Sequence, residues 1–267
     1  MHSGDAVPTR FVILAAPRTG SNMLCTLLNS HPAILCHHEL FNPEDIFYAL
    51  PLRDGSFNLG TIEERDSDPL SFLDRAWRNY LGHECIGFKL THRQNETIFY
   101  EVLGDRGVKK IILRRKNPIK TFVSFLIAEK TGRWEVYAET GRGEVRNAEC
   151  GVRSGGGAEC SPAQIQKVSV DLKALQQHIA FNYAYYGEIE NYLGGSRQPF
   201  FRALYERLFF DEERLGLLEF LGVAPDISEL KVESIKQNPY HLRDLISNFS
   251  ELEKGLKGSE LESDLYC

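Results

Sequence analysis

Apolar residues run unbroken over 11–16 and stop at a polar turn, Pro17-Arg18-Thr19-Gly20-Ser21-Asn22. Beyond the turn, Met23, Leu24, Leu27 and Leu28 recur at helical spacing. The pattern predicts a buried strand, a loop, and a helix over about 21–30. The alternation then repeats. Leu70, Phe72, Leu73, Trp77 and Leu81 predict a helix over 69–81, and 85–90 reads as a short strand. Ile98, Phe99, Val102 and Leu103 share one side of a predicted helix over 95–104, followed by a buried-type strand over 109–113. Pro118 suits the first turn of a helix that continues to about Lys130. Strand and helix in alternation predict an α/β protein: a central parallel sheet flanked by helices.

The second half is less regular. Residues 139–162 carry Gly141, Gly143, Gly151, Gly155, Gly156, Gly157 and Pro162 among polar residues, with Arg142, Arg146 and Arg153. They predict a long loop, of the kind that serves as a lid or binding loop in compact domains. Helical pattern resumes at about 162 and runs to 193, with Phe181, Tyr183, Tyr185 and Tyr186 expected in the core. Residues 200–204 look like a strand, and 211–221 like a helix ended by Gly222. From Lys231 the tail is polar with scattered apolar positions. No internal repeat and no new start interrupt the chain, so 1–267 is expected to be a single domain.

Composition narrows the function classes. With 42% apolar and 25% charged residues over 267 positions, a sizeable core is expected. A net charge of −6 argues against a general nucleic-acid binder. No apolar run approaches the roughly 18–20 residues of a membrane span. The first residues lack the basic start and apolar middle of a signal peptide, so a soluble, cytoplasmic protein is the expectation. Six cysteines include no C-x-x-C pair, and Cys25, Cys36 and Cys85 fall in or beside apolar runs, where reduced buried thiols are common.

Two segments carry chemistry. The turn over 17–22 points hydroxyls, a guanidinium and backbone N–H groups at a helix start, a site for a phosphate-like anion. It departs from the nucleoside-triphosphate loop. That motif is G-x-x-x-x-G-K-[ST], and here Ala15 stands for the first Gly and Ser21 for the Lys. The second segment, Arg114-Arg115-Lys116-Asn117-Pro118, puts three cations at a strand end, with Ser124 two turns into the next helix. Lys116 and Ser124, eight apart, are expected on one side of that helix, where they could hold a second phosphate.

On these residues the chain resembles the sulfotransferases that use 3′-phosphoadenosine 5′-phosphosulfate (PAPS). Residues 17–24 are similar to that family's 5′-phosphosulfate loop in its carbohydrate and bacterial members, and Lys116-Asn117-Pro118 through Ser124 to its 3′-phosphate motif, where Arg normally stands at the Lys116 position. Tyr205-Glu206-Arg207-Leu208 with Phe220-Leu221-Gly222-Val223 resembles a late family segment. Lys236-Gln237-Asn238 leading to Asn248-Phe249-Ser250-Glu251-Leu252 resembles the tail of nodulation-factor-type members.

The resemblance implies a P-loop-like nucleotide-binding fold, PAPS as donor, 3′-phosphoadenosine 5′-phosphate (PAP) as product, and no metal. It places Arg18, Thr19, Gly20, Ser21 and Asn22 on the 5′-phosphosulfate. Lys116, Ser124 and Arg115 fall on the 3′-phosphate, with Arg114 as an alternative fork, and Lys236 and Gln237 on the closing tail. Glu39 matches the general base of carbohydrate-type members. His92 is the second candidate, at the end of the Gly87-Phe88-Lys89-Leu90-Thr91 strand, where the small-molecule branch has a Lys–Thr–His element; here Leu90 intervenes. Lys89 could touch the sulfonate or the acceptor, and His37 and His38 flank Glu39. The acceptor is expected to be a glycan, glycolipid or small metabolite, with the 139–162 loop and residues 44–66 shaping its entry. Two other classes remain: a small-molecule kinase with a degenerate phosphate loop, and a non-catalytic nucleotide-binding protein.

Overall fold

The computed structural model describes residues 7–92, 94–134, 166–231 and 240–266. In chain order the elements are β1 (Thr9–Ala15), α1 (Ser21–Asn29), β2 (Ile34–His37), α2 (Ile62–Ser67), α3 (Pro69–Arg78), β3 (Cys85–Thr91), α4 (Glu96–Gly104), β4 (Val108–Arg114), α5 (Pro118–Thr131), α6 (Leu172–Gly195), β5 (Phe200–Leu204), α7 (Asp211–Leu221), α8 (Leu242–Leu245) and α9 (Phe249–Leu256). The chain forms two compact units, one from Met1–Lys116 with Asn182–Glu233, the other from Asn117–Phe181 with Ser234–Cys267.

The first unit holds the sheet. Among the described residues five strands pair in the order β2-β3-β1-β4-β5, all parallel. Central β1 is buried on both faces, which is why it reads as a continuous apolar run rather than an alternation. Phe11, Ile13 and Ala15 pack with α1 and with Leu217, Leu218 and Leu221 of α7. Val12 and Leu14 face Phe72 and Trp77 of α3, Phe99 of α4, and Tyr185, Tyr186 and Ile189 of α6. Successive strand residues point to opposite faces, so each strand feeds both cores.

The connection from β1 runs through α1 on one face, and that from β3 runs through α4 on the other. The carboxyl ends of β1 and β3 therefore flank a topological switch point, where open α/β sheets bind ligands. Cys25, Cys36 and Cys85 are buried free thiols, as expected from their apolar surroundings.

The second unit has its own core, built from Ile119, Phe122 and Val123 of α5, Leu175 of α6, and Leu245, Phe249 and Leu252 further on. Asn117 caps α5 through Lys120 N–H at 2.8 Å and donates to the Asp264 carbonyl at 2.6 Å.

Two expectations are corrected here. Residues 166–171 are not helical: Val168 forms a parallel bridge with Ile246, and the Asn248 side chain holds both backbone groups of Val170. Helix α6 starts only at Leu172, after Asp171 accepts from Ala174 N–H at 2.7 Å. Of the four aromatics assigned to the core, Tyr185 and Tyr186 are buried, but Phe181 and Tyr183 are 60% and 65% exposed. The 139–162 loop lies outside the described residues.

Candidate active site

The loop after β1 is shaped by three contacts. Thr19 Oγ1 donates to the Ala16 carbonyl at 2.7 Å, closing the turn on itself. The Tyr186 hydroxyl accepts from Ala16 N–H at 2.8 Å and donates to the Leu113 carbonyl at 2.7 Å, joining the ends of β1 and β4. Burial pushes that phenol up to about 12, so it stays protonated and can donate.

Arg18 adopts φ 65°, a left-handed conformation costly for a residue with a Cβ. Gly20 follows at φ 92°, and a Cβ there would overlap the Tyr205 ring. Gly20→Ala therefore meets both strain and a clash. It should lower stability by about 1–3 kcal/mol, read as a drop in the urea unfolding midpoint.

Helix α1 begins beneath this loop with no side-chain cap and no acidic residue in its first turn. No acidic side chain of its own first turn therefore offsets the positive end of its dipole.

The cations after β4 differ in their commitments. Arg114 pairs with Glu190 at 2.9 Å over the Tyr186 ring. Lys116 is exposed, and its backbone N–H is held by the Glu206 carboxylate at 3.2 Å. Arg115 lies over the Tyr205 ring and donates to the Arg18 carbonyl at 3.2 Å, and its buried Nε has no hydrogen-bond partner among the described residues. Burial lowers its pKa from the ordinary value, against the opposing pull of Tyr205 and Glu206.

Lys116 was expected on one helix side with Ser124. Helix α5, however, begins at Pro118 with Asn117 as its cap, so Lys116 precedes the helix and periodicity does not link the two. They also belong to different compact units. Ser124 is buried within α5. Lys236 and Gln237 lie outside the described residues.

Glu39 sits just past β2, at the rim reached by β3. Its Oε1 pairs with Lys89 Nζ at 2.8 Å. Its Oε2 accepts from Asn42 Nδ2 at 2.5 Å and Gln94 Nε2 at 2.6 Å. Burial acts to raise the carboxyl's pKa, but Lys89 and the two amides outweigh it and hold the group below the usual carboxylate range. Lys89 also donates to Asn22 Oδ1 in the first turn of α1. Side chains from two loops and β3 thus converge on one carboxylate, and α1 is joined to it through Lys89.

The turn after Glu39 is held from behind. The buried Arg65 guanidinium donates through Nη1 to the carbonyls of Leu40, Asn42 and Asp45 at 3.1, 2.6 and 3.1 Å. Arg65→Met leaves those acceptors without their donor. It should destabilise the protein by about 3 kcal/mol in a urea titration.

His92 turns elsewhere. At φ 35° just past β3, its Nε2 lies 2.8 Å from Asn182 Oδ1 and its ring meets Tyr185 edge-on. His37 is a core residue: Ala49 N–H donates to its Nδ1 at 3.2 Å, and the ring packs between Tyr48 and Phe57. Burial, reinforced by His38 and His83, pushes it down to about 3, so it is neutral. Asn42, Gln94, Tyr186 and Tyr205 complete the site without having been singled out from sequence for these roles.

No protein-family model matches this chain. It is 30% identical to Nodulation protein H of Rhizobium meliloti (strain 1021) over 135 residues, 48% of this chain and 50% of that protein. It is 34% identical to Nodulation protein H of Rhizobium tropici over 139 residues, 48% of this chain and 49% of that protein. The chain thus spans about half the length of the relatives it matches. Among solved structures, a sulfotransferase from Alicyclobacillus acidocaldarius aligns with a TM-score of 0.49 at 17% identity, covering 97% of this chain and 93% of that one. Mouse sulfotransferase SULT7A1 complexed with PAP aligns with a TM-score of 0.42 at 14% identity, covering 93% of this chain and 68% of that one.

Proposed function

We propose that this chain is a sulfotransferase, moving a sulfuryl group from PAPS to a hydroxyl or amine of a glycan, glycolipid or small metabolite. The observation that carries the reading is the Glu39–Lys89 pair, 2.8 Å apart, beside the acid-free first turn of α1. Sulfuryl transfer, like phosphoryl transfer, needs a base on the attacking side and positive charge where the leaving phosphate gains it. Here a carboxylate stands at the rim, with cations and helix amides beside it. The likeness to Nodulation protein H is in keeping with the nodulation-factor-type tail noted in the sequence.

In this reading the loop amides over 18–22 and the α1 N-terminus hold the 5′-phosphosulfate, and Lys89 neutralises charge beside it. Arg115 is the favoured ligand for the 3′-phosphate, because its guanidinium is buried against the loop while Arg114 is engaged by Glu190. Family resemblance alone assigns Lys116, Ser124, Lys236 and Gln237 to the nucleotide. Glu39 takes the proton from the acceptor. His92, held by Asn182, is the second choice for that role.

A thermal-shift titration with PAP, beside AMP and Mg·ATP, tests the donor class. At 100 times its Kd, PAP should stabilise the protein by about 2.7 kcal/mol, and the other two should shift it much less. Stabilisation by Mg·ATP without PAP would replace this reading with a kinase.

A further inference from the structure

Lys89 is 2% exposed, and its ammonium joins two elements. It pairs with Glu39 Oε1 and donates to Asn22 Oδ1 at the start of α1. The other carboxylate oxygen, Oε2, is held by Asn42 and Gln94, and Gln94 is itself tied to β3 by accepting Thr91 N–H at 3.3 Å. The two oxygens are therefore unequal. One is fixed by neutral amides, the other by a cation that also reaches the start of α1, where the sulfuryl-transfer reading places the donor's anion. An ammonium on Oε1 favours the ionised carboxylate, and so lowers the proton affinity of the oxygen that the two amides leave open.

We infer that Lys89 couples anion binding at the α1 N-terminus to the unmasking of Glu39: with the anion in place the ammonium turns from Oε1 toward it, and Oε1 becomes the proton acceptor while Oε2 stays fixed by Asn42 and Gln94. The inference rests on the sulfuryl-transfer reading above. The acceptor hydroxyl gives its proton to Oε1 as its oxygen bonds to sulfur. The bond from sulfur to the bridging phosphate oxygen breaks, and its electron pair stays on the phosphate. Asn42 and Gln94 act as positioning residues that keep the carboxylate in place when its cation leaves. Donor binding must therefore precede productive acceptor binding.

The test reads affinity rather than turnover. PAP is titrated calorimetrically into wild type, Glu39→Gln, Lys89→Met and the double variant. Glu39→Gln removes the competitor for Lys89 and should bind PAP about tenfold more tightly than wild type. Lys89→Met should bind at least about tenfold more weakly. Adding Glu39→Gln to Lys89→Met should then change affinity less than about twofold. Unchanged or weaker binding by Glu39→Gln overturns the coupling. So does an equal gain in both backgrounds, which would be through-space loss of negative charge. Lys89→Gln replaces the methionine variant if the latter does not fold. Failure of wild type to bind PAP at all defeats the donor reading itself, an outcome separate from a cycle that shows no coupling.

Discussion

Glu39→Gln is expected to lower kcat for sulfuryl transfer by about 10²–10⁴-fold, the usual contribution of a positioned general base, without weakening donor binding. The substitution keeps the size of the side chain and removes one function. Its amide oxygen can still accept from Asn42 and Gln94, the contacts that fix Oε2. Its amide nitrogen then faces Lys89, where it can neither accept a proton nor hold the ammonium. Steady-state kinetics with varied donor and acceptor check this as a fall in kcat at a donor KM that is unchanged or lower. Retention of kcat, with a collapse instead in His92→Ala, would move the base to His92 and reduce Glu39 to a holder of Lys89.

Acid should unfold the protein well before its exposed carboxylates are fully protonated, and His37 is the reason. Its folded pKa of about 3 lies below the unfolded value of about 6.5. Between those values the unfolded chain binds the additional proton, so stability falls as pH drops through that window. At pH 4.5 the loss from this residue should approach about 3 kcal/mol relative to pH 7, at about 1.36 kcal/mol per pH unit below 6.5. Asparagine can offer an acceptor to Ala49 N–H where Nδ1 now does and does not titrate. His37→Asn should therefore show a flatter decline between pH 7 and 4.5 in urea unfolding. Equal slopes for wild type and variant would show that the ring accommodates charge.

Most of the sheet was legible because of where it sits. Strands β1, β3 and β4 are buried on both faces, so their residues form apolar runs, and Asn117-Pro118 marks the start of α5. The errors have physical causes too. Tyr183 was grouped with Tyr185, yet two residues on a helix stand about 200° apart, and only Tyr185, Tyr186, Ile189 and Leu193 form the stripe in the sheet's core. Helix α8, four residues long, is too short for periodicity to show, whereas Phe249, Leu252 and Leu256 of α9 do recur at helical spacing within a mostly polar tail.

The site was half legible. Arg18 to Asn22 stand out by motif, and Glu39 is singled out by family resemblance alone. Gln94 meets Glu39 across 55 positions of sequence, and Tyr186 meets Ala16 across 170. Such contacts are made by topology, and no local pattern encodes them.

The grip of Arg65 on the turn after Glu39 bears on how such a protein could diversify. Its three bonds go to main-chain carbonyls, which every amino acid supplies. Those bonds do not depend on the identities of the exposed Pro43 and Glu44, whereas the Asp45 carboxylate itself accepts from Ile46 N–H at 2.7 Å. Random libraries at Pro43 and Glu44 should return mostly folded proteins with Glu39 still in register, so this stretch can vary in sequence at little cost to the backbone that carries the carboxylate.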